Sequence, residues 1–120
     1  MSISIIIITF NESINIQRCL ESVKWADEII IVDSGSNDNT VKISKQYTNL
    51  VYEVDWPGFG PQKNRALAHA TSDWVLSIDA DEFISEDLKN EILETVQSKE
   101  FNAYKIPRLS SYCGKFLKHG

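Results

Sequence analysis

From Ser2 to Thr9 the chain is apolar and β-branched with little alternation, the pattern of a parallel strand covered on both faces. Ile16, Cys19, Leu20 and Val23 then recur at i, i+3, i+4 and i+7, the stripe of an amphipathic helix. Glu28 to Asp33 repeats the buried-strand pattern, and Ser36 to Tyr47, opening on cap-type residues, predicts a second helix. Leu50 to Val54 reads as a third strand. A loop with Trp56, Pro57, Gly58, Gly60 and Pro61 follows, and a helix is expected over Gln62 to Ala70 with Pro61 in its first turn. Trp74 to Ile78 predicts a fourth strand, running into Asp79-Ala80-Asp81-Glu82. Ser85 to Gln97 predicts a last helix, with Leu88, Ile92, Leu93 and Val96 inward and acids in its first turn. Strands alternating with helices define an α/β fold: a mostly parallel sheet, helices on both faces, right-handed crossovers. After Phe101 the pattern loosens into strand-like pieces with no closing element. The expected division is therefore a sheet unit over 1–100 and the incomplete start of another region over 101–120.

Composition narrows the classes. The chain has 120 residues, 42% hydrophobic and 24% charged, an ordinary globular balance for one domain. A net charge of −5 argues against a sequence-independent grip on nucleic acid, which needs a basic surface. No stretch approaches the roughly 18 apolar residues of a membrane span, and no signal-peptide pattern opens the chain. The expectation is a soluble cytoplasmic domain with two reduced thiols, Cys19 on a buried helix face and Cys113. His69 is expected to be an ordinary helix residue. Trp25, Trp56 and Trp74 are expected to pack, with Trp56 set apart by its loop.

In open parallel sheets, ligands bind beyond the carboxyl ends of the strands. Thr9, Phe10, Asn11 and Glu12 follow the first strand; Asp33, Ser34, Gly35 and Ser36 the second; Asp79, Asp81 and Glu82 the fourth. Polar and acidic groups thus collect along one edge. In an extended segment Asp79 and Asp81 would share a side, offering two hard oxygen ligands to Mg²⁺ or Mn²⁺ beside a phosphorylated ligand. The competing reading is a solvated acidic turn that caps the next helix. Asp33 could meet a base or ribose donor, or the turn could need only the positive φ of Gly35. Lys63 and Arg65 lie near a helix start, where an anion is favoured, or form a solvated face. No G-x-G-x-x-G follows any strand, so a dinucleotide site lacks its phosphate turn.

The ordered segments T-F-N-E, V-D-S-G-S-N-D-N-T, K-N-R-A and D-A-D-E, spread over Ile3 to Glu82, resemble the family 2 glycosyltransferases of GT-A fold. D-W-P-G-F-G-P-Q-K-N-R-A-L is more specifically similar to the bacterial lipopolysaccharide core-biosynthesis branch. That resemblance implies transfer of a hexose, glucose above others, from a UDP-sugar to a lipopolysaccharide core acceptor, with inversion and a divalent cation, Mg²⁺ or Mn²⁺. By position, it implies that Thr9, Asn11 and Glu12 line the nucleotide pocket and that Asp33 and Ser34 approach the uridine. It implies further that Lys63 and Arg65 serve the nucleotide, that Asp79 faces ribose or metal, and that Asp81 holds the metal against the diphosphate. Ser34 stands where the family often has a second Asp, and Lys63 where it usually has Arg. The general base belongs to a later, acceptor-side motif that nothing between Glu82 and Gly120 matches. The chain is thus expected to be the donor-binding part of a longer enzyme, truncated before the acceptor half is complete. Such a part would be weakly active or inactive alone and open to self-association through the surface left uncovered. A lipid-linked acceptor implies contact with the periphery of the inner membrane, although Lys115 and Lys118 are too few for a polybasic anchor.

Three other readings compete. A non-catalytic nucleotide-binding or interaction module would have a self-sufficient sheet. A sugar-nucleotide pyrophosphorylase would need a glycine-rich basic loop where Asn11 and Glu12 stand. A purely structural domain leaves the acids at the strand ends without a role.

Overall fold

The computed structural model describes residues 2–98, 103–104 and 115–118, with side chains as far as residue 96. Four parallel strands form its centre: β1 (Ile3–Thr9), β2 (Glu28–Asp33), β3 (Val51–Glu53) and β4 (Trp74–Asp79). Helices α1 (Ile16–Val23), α2 (Thr40–Ser44), α3 (Phe59–His69) and α4 (Glu86–Ser98) follow them in turn. Strands β5 (Ala103–Tyr104) and β6 (Lys115–Lys118) complete the order β3-β2-β1-β4-β6-β5. β6 runs antiparallel to β4, so the strand-like pieces of the tail do join the sheet, at the edge beside β4. The remaining residues of 101–120, Cys113 and His119 among them, lie outside those described.

Strand alternation divides the core in two. Ile3, Ile5, Ile7, Ile29, Ile31, Leu76 and Ile78 face α1 and α4, meeting Ile16, Cys19, Leu20, Val23, Leu88, Ile92 and Val96. Ile6, Ile30, Val32 and Val75 face Ala66 and Ala70 of α3 and the turn beyond it. Helices therefore cover both faces, as the uninterrupted apolar strands require. Cys19 is fully buried as expected, and burial above all, with the acids nearby, pushes its thiol up to about 12. Trp74 is fully buried, and Trp25 is half-buried with Nε1 donating to the Ser22 carbonyl at 2.7 Å.

Three differences from the sequence expectation bear on the strand ends, beside shifts of a residue or so at other boundaries. α2 is regular only over Thr40–Ser44, because the amides of Ser36, Asn37 and Thr40 bond to the side chains of Asp33, Asn11 and Asp38. Side-chain acceptors in the loop displace the helical turn predicted from Ser36. α3 starts three residues early, at Phe59, after Gly58 turns the chain at φ 114°, and Pro61 still falls within its first turn. β4 includes Asp79, and Ala80 and Asp81 form a turn rather than an extended run. The Glu82 amide closes that turn on the Asp79 carbonyl at 3.0 Å, and Glu82 Oε1 accepts from the Asp79 amide at 2.7 Å.

Candidate functional site

The carboxyl ends of β1, β2 and β4 open onto a cleft of about 610 Å³ lined by Ile8, Thr9, Phe10, Glu12, Ser34, Trp56, Phe59, Asp79, Ala80 and Asp81. Its shape follows from the strand order: β1 lies between β2 and β4, so Ser34 and Thr9 fall on one side and the acid turn on the other. The β3–α3 loop, with α3 packed on β1 and β2, supplies the aromatic wall.

The hydroxyl side is tied together by side chains that span two loops. Asp33 is fully buried, and its carboxylate accepts from Thr9 Oγ1 (2.7 Å), Gly35 N (3.0 Å), Ser36 N (2.8 Å) and Ser36 Oγ (2.5 Å). Those four bonds occupy the acceptor capacity of a carboxylate. Asp33 thus holds the turn, and Ser34 is the residue of this turn that lines the cleft, its amide and hydroxyl bonded to the Thr9 carbonyl at 3.1 and 3.2 Å.

Asn11 sits at φ 52°, accepts the Asn37 amide on Oδ1 at 2.8 Å and donates its own amide to Ser36 Oγ at 2.8 Å. It clips the two loops together and is absent from the cleft lining. The Glu12 amide bonds Thr40 Oγ1 at 2.8 Å and the Ser13 amide bonds Asp38 Oδ2 at 3.1 Å, extending the same seam. Bonds to Thr40, above all its hydroxyl, hold the Asp38 carboxyl at about 2, below its ordinary value. A depressed folded-state pKa contributes stability that is full above the ordinary value of 3.8 and is lost as pH falls toward about 2. The expected result is that wild type loses its stability advantage over Asp38→Asn between about pH 4 and 2 in paired thermal melts, and keeps it at pH 6.

The acid side gathers carboxylates whose charges oppose one another. Glu12 Oε2 is buried without a hydrogen-bond partner. Burial first, then the charge of Asp81, raises the Glu12 carboxyl. Burial, then Asp79 and Asp81, raises Glu82 to about 7 against the opposing pull of the Asp79 amide and Lys63. An orphaned acceptor beside repelling carboxylates fits a hard divalent cation that takes one or two protein oxygens and completes its shell with phosphate and water. Among the described residues no group of three or more His, Cys, Asp or Glu side chains converges as a metal cluster. Arg18 reaches over from α1, stacking on Phe83 at 4.8 Å and donating to the Asp81 carbonyl at 3.4 Å, which steadies the turn.

Neither cation expected near the ligand lines the cleft. Arg65 Nη1 grips Asp55 (2.7 Å to Oδ1, 3.2 Å to the carbonyl) and Gln62 Oε1 at 3.1 Å, fixing the β3–α3 loop. Lys63 stands close enough to Glu82 to lower its pKa. The residues that sequence reasoning left out are the aromatics: Phe10 followed β1 in plain view, but the chain signals of Trp56 and Phe59 were only a loop position and a helix start.

The class this defines is an α/β protein whose ligand lies across the strand ends, with hydroxyls toward one end and acids toward the other. Residues 4–119 match the family described as glycosyl transferase family 2, and the chain belongs to it. A glycosyltransferase of Rickettsia prowazekii (strain Madrid E), itself uncharacterized, is 42% identical over 116 residues, covering 93% of this chain and 40% of the relative. The SPbeta prophage-derived glycosyltransferase SunS of Bacillus subtilis (strain 168) is 36% identical over 115 residues, covering 90% of this chain and 27% of SunS. Among solved structures, S. aureus TarS in complex with UDP-GlcNAc superposes with a TM-score of 0.74 at 26% identity, covering 86% of this chain and 33% of that one. Glucosyl-3-phosphoglycerate synthase from Mycobacterium tuberculosis, in complex with Mg²⁺ and UDP, gives 0.69 at 26% identity, covering 82% and 40%. The fold is therefore GT-A, and the chain spans about two fifths of the length of the Rickettsia relative. No helix among the described residues is long and apolar enough to cross a membrane.

Proposed function

We propose that this chain is the donor-binding part of a metal-dependent, inverting glycosyltransferase that moves a hexose, glucose above others, from a UDP-sugar to a lipopolysaccharide core acceptor. The observation that carries this reading is the polarity of the cleft: hydroxyls of Thr9 and Ser34 toward one end, Asp79 and Asp81 with the orphaned Glu12 oxygen toward the other. A nucleoside diphosphate has the matching polarity, with hydrogen-bonding groups on base and ribose and charge on the phosphates. The TarS complex with UDP-GlcNAc and the synthase complex with Mg²⁺ and UDP support the same assignment.

Asp81 and Asp79 would hold Mg²⁺ or Mn²⁺, which when bound supplies Lewis-acid neutralisation of the departing diphosphate. Ser34 and Thr9 orient the nucleotide, and the Asp33 turn keeps that edge rigid. Lys63 and Arg65 act behind the cleft, Lys63 on Glu82 and Arg65 on the loop that carries Trp56. In the reaction an acceptor hydroxyl forms the bond to the anomeric carbon as the bond to the UDP oxygen breaks. Its proton passes to a carboxylate of the acceptor side, beyond the residues that build this cleft. The protein would work in the cytoplasm at the periphery of the inner membrane, where such an acceptor is assembled.

The test is transfer by the full-length protein from labelled UDP-glucose to inner-core lipopolysaccharide with Mn²⁺ present. The expected product carries the inverted anomeric configuration and is not formed in excess EDTA. Transfer from another donor in preference to UDP-glucose, or undiminished transfer in EDTA, would contradict the assignment.

A further inference from the structure

Of the run Asp79-Ala80-Asp81-Glu82, the first three residues line the cleft and Glu82 does not. Glu82 instead turns back on the chain. Its Oε1 accepts from the Asp79 amide at 2.7 Å, and its own amide donates to the Asp79 carbonyl at 3.0 Å. An acid that reaches back to the amide three residues before it is half of a capping box. In the complete box the first residue's side chain takes the returning amide. Here the carbonyl takes it, which leaves the Asp79 carboxylate out of the closure. The segment beyond is tied separately to α1: Arg18 donates to the Asp81 carbonyl at 3.4 Å, and Ser22 Oγ accepts from the amide of buried Ile84 at 2.9 Å. Loss of the Glu82 side chain therefore frees the turn at one point without detaching it from the fold.

Asp79 and Asp81 are separated by a single residue, so the bend of the backbone sets the distance between their carboxylates. A small hard cation such as Mg²⁺ demands near-ideal octahedral geometry, with oxygens at roughly 2.0–2.1 Å. Groups behind metal ligands orient them, and losing one typically costs about 10–100-fold in metal affinity. We propose that Glu82 is a positioning residue for the cation: by holding the Asp79 amide it fixes how Asp79 and Asp81 present their carboxylates. It thereby sets the affinity for Mg²⁺ or Mn²⁺ without touching the ion. This inference rests on the donor-site reading above and deepens it. The competing role for a carboxylate here is charge, either as a further ligand or as the partner of Lys63, which stands close to it from α3. Reach and charge separate by substitution. Glu82→Gln keeps an acceptor at the same reach and drops the charge, whereas Glu82→Asp keeps the charge and shortens the reach by one methylene.

The experiment titrates UDP into purified wild type, Glu82→Ala, Glu82→Gln and Glu82→Asp at graded Mn²⁺ and again in EDTA, with a thermal melt of each. For Glu82→Ala and Glu82→Asp, the expected result is a rise of roughly tenfold or more in the apparent Kd for Mn²⁺. Glu82→Gln stays within about threefold of wild type, because the amide oxygen still holds the Asp79 amide. UDP binding in EDTA does not weaken in any variant, since the cation plays no part in that measurement. Equal losses in Glu82→Gln and Glu82→Ala, or wild-type affinity in Glu82→Asp, would make charge the working property and overturn the inference. So would a folded Glu82→Ala that binds Mn²⁺ as wild type does. A loss of UDP affinity in EDTA as large as that with Mn²⁺ would mark a collapsed site and overturn it as well. Failure of wild type to bind UDP with Mn²⁺ would sink the donor-site reading itself.

Discussion

Asp33→Ala is expected to lower the stability of the fold by about 3–5 kcal/mol, a large share of the 5–15 kcal/mol that holds a typical domain together. The side chain is fully buried and accepts from two backbone amides and two hydroxyls. Its removal leaves the Gly35 and Ser36 amides and the Thr9 and Ser36 hydroxyls without their acceptor. Asp33→Asn separates charge from shape. The amide oxygen can still serve the two backbone amides, and the hydroxyls of Thr9 and Ser36 can rotate to accept from its NH₂ group. That variant should lose only about 1–2 kcal/mol. Urea midpoints compare the three proteins. Equal losses for Ala and Asn would mean that the charge itself, rather than the set of acceptors, holds the turn.

Asp81→Ala is expected to cut sugar transfer by the full-length protein about a thousandfold, or roughly 4 kcal/mol of barrier. The argument is electrostatic. Glu12, Asp79, Asp81 and Glu82 crowd one end of the cleft, and burial with mutual repulsion raises the carboxyls of Glu12 and Glu82. A diphosphate brought to this end without a cation would meet repulsion from these carboxylates, offset in part by Lys63. Removing Asp81 takes away one of the two cleft-lining aspartates at the end of β4 that are proposed to hold the cation. Steady-state rates at saturating Mn²⁺ measure the effect, and Asp81→Asn, which keeps one neutral oxygen ligand, should fall between. A rate within threefold of wild type for Asp81→Ala would remove this residue from the metal site.

The strands and the first helix were legible because their residues leave little choice. A run such as Ile5 to Ile8 has no polar side to expose, and Ile16, Cys19, Leu20 and Val23 are all fully buried as their spacing requires. The clustering of Thr9, Ser34, Asp79 and Asp81 at one edge likewise followed from strand ends alone. What stayed hidden depends on contacts between distant loops. Asn11 and Asn37, or Asp38 and Ser13, are 26 and 25 residues apart, and their bonds shorten α2 and give Asn11 a structural task. No local pattern records that Asp33 is saturated by its own turn together with Thr9. The Asp79-Ala80-Asp81 run bends rather than extends because Glu82 closes back onto Asp79, yet both aspartates still line the cleft. Trp56 was read as packing because exposure of a loop aromatic is invisible until the opposite wall of the cleft is in place.

The most direct test is calorimetric titration of UDP into the purified protein, with Mn²⁺ and again in EDTA. Binding that appears with Mn²⁺ and weakens at least tenfold without it is the predicted result, because Asp79, Asp81 and Glu12 repel an unaccompanied diphosphate. Equal affinity in both buffers, or no binding by a folded sample with Mn²⁺, would contradict a metal-assisted donor site at the ends of β1, β2 and β4.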